Sequence, residues 1–179
     1  GQVADIHFMK RQSDLILAMR RLLERRPRLV VALMGAQWDP AEMKRVRAAM
    51  TGIEDRMRLV DRNDDVAGFL HGLDIFAVSS ISEEGPFAAL EAMSTGLPIV
   101  STRVGRMREM LEEGRSGLIC EPRDIAGLAN ALDVLCGDPG MRRSMGGAAR
   151  ARAVAEHATT TALDAIETVL VTTAGRGRR

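Results

Sequence analysis

The sequence predicts a doubly wound α/β fold: a parallel six-stranded sheet with helices on both faces and further helices at the C-terminus. Three observations predict it. Apolar runs such as residues 29–34 carry no polar alternation, the mark of strands buried on both faces. Stretches of helical period separate these runs from one another. The chain's 179 residues, 46% hydrophobic and 27% charged, have the size and make-up of one domain with a proper core.

Taken in order, the first strand is expected over residues 3–6. Ser13 and Asp14 then read as the N-cap of a helix whose apolar positions are Leu15, Ala18, Met19, Leu22 and Leu23, and Pro27 closes it. Residues 29–34 form a second strand that ends at Gly35. Asp39 supplies the next N-cap and Pro40 an N1 proline, for a helix running to about Met50. The unit repeats with a strand over 57–60, a short helix from about 66 to 72, a strand over 75–78 and a helix from about 87 to 95. A strand at 99–100, a short helix over 107–111 and a strand over 118–120 follow. Beyond Asp124 the strand signals stop. Residues 125–135, 141–155 and 159–171 read as amphipathic helices, and the basic tail 175–179 as frayed.

Composition narrows the function. A net charge of +1 leaves no clustered positive excess, so nucleic acid is not an expected partner. Cys120 and Cys136 lack CxxC or Cys/His metal spacing and read as two reduced, apolar side chains, which fits the cytoplasm. No apolar run approaches the roughly 18 to 20 residues that span a bilayer. The arginines at 20, 21, 25 and 26 leave peripheral association with the inner face of a membrane open. His7, His71 and His157 share no spacing and lie near no nucleophile. Neither GxGxxG nor GxxxxGK[ST] occurs, which counts against a standard dinucleotide fold and a P-loop ATPase.

In an open parallel sheet, ligands bind outside the carboxyl ends of the strands. The richest such segment runs from Ser79 to Glu91, where a Gly-containing loop with two carboxylates, Glu83 and Glu84, feeds into a helix. Backbone N–H groups near Phe87, Ala88 and Ala89, with the positive end of the helix dipole, suit a phosphate, and the small alanines keep the backbone approachable. Lys10, one of two lysines in a chain with 25 Lys and Arg residues, follows the first strand.

Glu83 and Glu91, separated by seven residues and followed by Ala92-Met93-Ser94-Thr95-Gly96-Leu97-Pro98, resemble the signature of retaining glycosyltransferases of the GT-B fold, family 4, the group 1 glycosyl transferases. Similarity extends from Val3-Ala4 and Lys10 through residues 31–35, 74–79, Val104-Gly105 with Glu109, and 117–119 with Asp124, covering about residues 3–152. The resemblance implies a Rossmann-like half of a GT-B fold. Residues 1–156 would be the nucleotide-sugar-binding domain, and 157–179 a C-terminal helix and disordered basic tail. Because the chain opens at Gly1 directly into a strand, it is read as the donor half alone. A missing N-terminal domain would bind the acceptor, whether sugar, lipid or small molecule, and the half alone would be inactive.

By position, the resemblance makes Glu83 face the donor sugar and Glu91 accept hydrogen bonds from the ribose hydroxyls. Backbone amides from Gly85 and Pro86 onward, through Phe87, Ala88 and Ala89, would hold the diphosphate, proline itself donating nothing. Lys10 would add a point charge, Gly35 would lie beside the donor, and the segment from Val60 through Arg62 to Asp65 would edge the base. No metal and no cofactor are implied. The donor would be a UDP or GDP sugar, and stabilising its leaving diphosphate the main electrostatic task.

The sequence departs from the family pattern where an arginine usually meets the diphosphate: Asp5 stands there. A unit charge at roughly 6 Å and an effective dielectric of about 20 contributes about 3 kcal/mol, so a reversed sign costs about twice that. Gln37 and Arg106 replace glycines of the pattern, and Arg106 is expected to compensate, by pairing with Asp5 or by touching the diphosphate. Glu84-Gly85 matches the family dipeptide, but Glu83 keeps the spacing to Glu91 and is preferred, since one residue of slip turns a helix by about 100°. Two alternatives stay open: a nucleotide-sugar-binding domain impaired in transfer, and a related nucleotide-sugar epimerase or hydrolase.

Overall fold

The computed structural model describes residues 1–62 and 65–157. Its strands are β1 (Gln2–Val3), β2 (Val31–Met34), β3 (Met57–Val60), β4 (Phe76–Val78), β5 (Ile99–Thr102) and β6 (Gly117–Cys120). The helices are α1 (Gln12–Arg20), α2 (Pro40–Met50), α3 (Val66–His71), α4 (Phe87–Ser94), α5 (Met107–Met110), α6 (Ile125–Gly137) and α7 (Pro139–His157). The expected helix 159–171 and the tail lie outside the described residues.

All strand pairs are parallel, in two runs, β1-β2-β3 and β4-β5-β6. Gly1 stitches the runs together: its backbone nitrogen donates to the Ile75 carbonyl at 2.7 Å, and the Ala77 N–H donates to its carbonyl at 2.8 Å. The resulting order is β3-β2-β1-β4-β5-β6, which reverses direction between β1 and β4. That reversal is the switch point at which open α/β sheets receive ligands.

Neighbouring strand residues point to opposite faces, and each face has its own core. Ile75, Ala77 and Val100 join Leu15, Ile16, Met19, Val46, Leu128 and Leu135 of α1, α2 and α6. Phe76, Val78 and Ile99 join Leu70, Ala92, Met93, Met107 and Ala149 of α3, α4, α5 and α7. The inner strands are therefore buried on both sides, which is why they carry no alternation, while Arg58 and Leu59 of the edge strand β3 are exposed. On the second face α7 crosses α4 so closely that a Cβ on Gly146 would stand 2.0 Å from the Gly96 carbonyl oxygen.

Several boundaries differ from expectation for physical reasons. The ladder of β1 ends at Val3, but the chain stays extended, with Ile6 N–H bonding Ala36 O at 2.8 Å and Ile6 bridging Gln37. Ser13 and Asp14 do not cap α1. The helix starts earlier, after Arg11 in a left-handed conformation (φ 50°), and the Ser13 N–H is satisfied by the Glu42 carboxylate of α2 at 3.0 Å. Asp14 instead pairs with Arg11 at 2.8 Å. The helix also ends at Arg20, and irregular turns fill the gap to Pro27. Asp39 does cap α2, accepting from Ala41 N–H at 2.9 Å and Glu42 N–H at 3.1 Å with Pro40 at the first position.

Candidate functional site

Two loops meet at the switch point. The loop after β1 and the loop after β4 are clamped by the Ile81 N–H donating to Met9 O at 2.8 Å. The buried Ser79 hydroxyl donates to Lys10 O at 2.8 Å, so the backbone that carries Lys10 is fixed by the end of β4. Together with the first turn of α4 they enclose a cavity of about 200 Å³ lined by Gln2, Val3, Ala4, Lys10, Glu83 and the 85–89 segment, with β4 as its floor.

Lys10 and Glu83 form the charged wall. Lys10 Nζ lies 2.8 and 2.7 Å from the two Glu83 carboxylate oxygens, with side chains 31% and 9% exposed respectively. Ser80 Oγ adds a bond of 2.6 Å to Glu83 Oε1, and Thr102 Oγ1 holds the Ser80 carbonyl at 2.6 Å. Behind Glu83, Gly105 (φ 46°) comes so near that a Cβ there would sit 1.8 Å from the Glu83 carbonyl oxygen. The carboxylate is thus fixed from its side chain and from its backbone.

The first turn of α4 offers less backbone than the sequence suggests. Phe87 N–H turns back to Gly85 O at 2.8 Å and Ala89 N–H to Pro86 O at 2.9 Å, leaving the Ala88 N–H without an acceptor among the described residues. The Phe87 ring, 76% exposed, stands at the cavity mouth over Gly85. Glu91 is exposed and does not line the cavity, but it follows Phe87 and Ala88 by four and three residues and so rises on the same helix face.

Of the residues singled out from sequence, Lys10, Glu83, Gly85, Pro86, Phe87, Ala88 and Ala89 converge on the cavity. Glu84 is exposed and lies off it. Gly35, Val60 and Arg62 gather beside it: Gly35 N–H donates to Val60 O at 3.1 Å, and a Cβ on Gly35 would stand 2.1 Å from Ala4 O. Asp5 does not pair with Arg106. Its Oδ1 accepts the Ala36 N–H at 2.9 Å and its Oδ2 lies 3.7 Å from Arg62 Nη1. Arg106 sits at the start of α5 beside Glu109 at 3.4 Å and does not line the cavity. Sequence reasoning passed over Ser80, Thr102 and the packing role of Gly105. A hydroxyl at each of two adjacent strand ends was the available signal.

Backbone N–H bonds from Glu42, Phe8 and Ala41 hold the Asp39 carboxyl below its usual range, tying the loop after β1 to α2. Among the described residues no group of three His, Cys, Asp or Glu side chains is placed to hold a metal, and no helix is long and apolar enough to cross a membrane.

Comparison with known proteins identifies the family and the fold. The family model of the glycosyl transferases group 1 matches residues 1–152. A D-inositol 3-phosphate glycosyltransferase of Kribbella flavida is 32% identical over 166 residues, 87% of this chain and 38% of that protein. A glycogen synthase of Mycobacterium tuberculosis is 33% identical over 158 residues, 84% of this chain and 36% of that protein. The chain thus spans under two-fifths of the length of these relatives. In fold it is similar to Anabaena HepE, solved with UDP and glucose, at a TM-score of 0.88 and 23% identity over 96% of this chain and 47% of that one. It also superposes on the C-terminal domain of a group 1 family glycosyl transferase, LpcC of Francisella tularensis, at a TM-score of 0.78 and 20% identity, covering 88% of this chain and 85% of that one. The parallel sheet and C-terminal helices match these GT-B domains, and the chain belongs to the glycosyl transferases group 1 family.

Proposed function

We propose that this chain is the donor-binding half of a GT-B glycosyltransferase that moves a hexosyl group from a nucleoside diphosphate sugar to an acceptor with retention of configuration. The observation that carries the reading is the cavity at the switch point, where Lys10 and Glu83 face each other in front of the α4 N-terminus. Lys10 and the free Ala88 N–H take the diphosphate. Glu83, held by Ser80 and Gly105, faces the sugar. Glu91, one turn along α4, accepts from the ribose hydroxyls. Charge developing on the leaving diphosphate is stabilised by Lys10 and the helix dipole, so the reaction proceeds without a metal. The acceptor, a sugar, lipid or small molecule, is bound by a further domain, without which the chain does not turn over. The enzyme works in the cytoplasm, on a UDP or GDP sugar.

The turning of Asp5 toward Ala36 favours a working donor site over an impaired one, since the carboxylate lies off the cavity wall. Calorimetric titration with UDP, GDP and ADP tests the reading. One of them binds, and Glu91→Ala weakens it by about tenfold, the loss of a charge-assisted hydrogen bond. Failure of all three to bind refutes it.

A further inference from the structure

The pair formed by Asp5 and Arg62 takes the donor-site reading one step further and rests on it. In the sheet order, β3 lies two strands from β1, about 10 Å at the usual spacing. Arg62, just beyond β3, crosses the end of β2 to bring its Nη1 to 3.7 Å from Asp5 Oδ2. Asp5 follows Ala4, which lines the donor cavity, so the ion pair stands one residue along the chain from the cavity wall. Gly35, at the end of β2, has no Cβ and packs directly on Ala4 O, which brings the end of β2 close against the segment that carries Asp5.

The carboxylate that draws it there is itself anchored. Asp5 Oδ1 accepts the Ala36 N–H at 2.9 Å, and the Asp5 carbonyl accepts from Gln12 Nε2 at 3.0 Å. An arginine at residue 5 could make neither the Ala36 bond nor the attraction to Arg62. Arg62 is 73% exposed and makes this one ion pair among the described residues, which engages one end of its five-donor guanidinium. Arg106, the arginine expected to compensate, pairs with Glu109 and does not line the cavity.

We propose that Arg62 supplies the cation for the nucleoside diphosphate that residue 5 does not, and that Asp5 is a positioning residue which steers Arg62 and pins the loop after β2. The anion sits in the inner loop as an anchor, and the cation arrives from the edge strand.

Titration of UDP into the chain at low and high salt tests this, with GDP and ADP run in parallel. Arg62→Ala weakens the nucleotide by about tenfold at low salt and flattens the salt dependence of affinity, while Arg62→Lys restores most of the loss. Asp5→Asn, which keeps an oxygen for Ala36 but loses the pull on Arg62, weakens binding by a few-fold. That sign is decisive, because a carboxylate facing the diphosphate would make Asp5→Asn bind more tightly. Unchanged affinity and salt slope in Arg62→Ala, or tighter binding in Asp5→Asn, overturns the proposal while leaving the donor site standing. If the unsubstituted chain binds none of the three nucleotides, the donor-site reading falls first and this one with it. Thermal melts of each variant separate lost binding from lost folding, since a purely structural effect lowers affinity without altering its salt slope.

Discussion

Gly105→Ala is the substitution that most directly links backbone packing to the site. The added Cβ would meet the Glu83 carbonyl oxygen at 1.8 Å and its carbon at 2.8 Å, well inside the 3.0 Å that real Cβ atoms respect. The residue also sits at φ 46°, where a side chain costs about 1–2 kcal/mol. Relieving the overlap by moving backbone adds about 1–3 kcal/mol, for a total of about 3 kcal/mol. Gly114 supplies the control. It has a φ of 80° with nothing within 4 Å of its virtual Cβ, so Gly114→Ala reports the conformational cost without the clash. Urea denaturation of both variants gives the difference, expected at about 2 kcal/mol. Because the atom displaced belongs to Glu83, Gly105→Ala should also lose nucleotide affinity by about tenfold, while Gly114→Ala keeps it. Equal destabilisation in the two variants, with affinity retained in both, refutes the claim that Gly105 positions Glu83.

Two further outcomes follow from single groups. Glu83→Gln removes an anion 2.7 Å from Lys10, so UDP lacking a sugar should bind about three- to tenfold more tightly by calorimetry; weaker binding would mean that Glu83 organises Lys10 rather than competing for it. Burial pushes the Cys120 thiol up to about 11, with Asp124 and Glu121 adding to the rise. The folded protein therefore holds that proton more tightly than the unfolded chain. Its contribution to stability is intact below about pH 9 and lost as pH rises through about 11. Cys120 should resist iodoacetamide at pH 8 in the folded protein, and rapid alkylation there would contradict the packing.

Much of the fold was legible because the inner strands are buried on both faces and each helix on one, so hydrophobic period located most of them. The errors fall where a distant group took over a local role. Ser13 looks like a cap, yet Glu42 satisfies its N–H from another helix, and no spacing near residue 13 announces that. The site's charged centre was legible for the opposite reason: Lys10 and Glu83 each follow a strand, and parallel strands deliver their following loops to one edge. Asp5 and Arg106 show the limit. Both are strand-following charges, but which cation meets Asp5 depends on the sheet order, and that is not written in the spacing of charges.

The seam between β1 and β4 has a consequence for how this protein forms. Lys10 and Glu83 are 73 residues apart, and Ser79 and Gln2 are 77 apart, so the cavity's walls meet only after a long loop has closed. Closing such a loop costs chain entropy before any contact rewards it. The strands β1 to β3 can pair as the chain emerges during synthesis, but the cavity has no existence until β4 docks against Gly1. A bound diphosphate touching Lys10 on one side and α4 on the other would act as a clasp across that loop, so its binding energy would also resist unzipping of the sheet at its shortest strand.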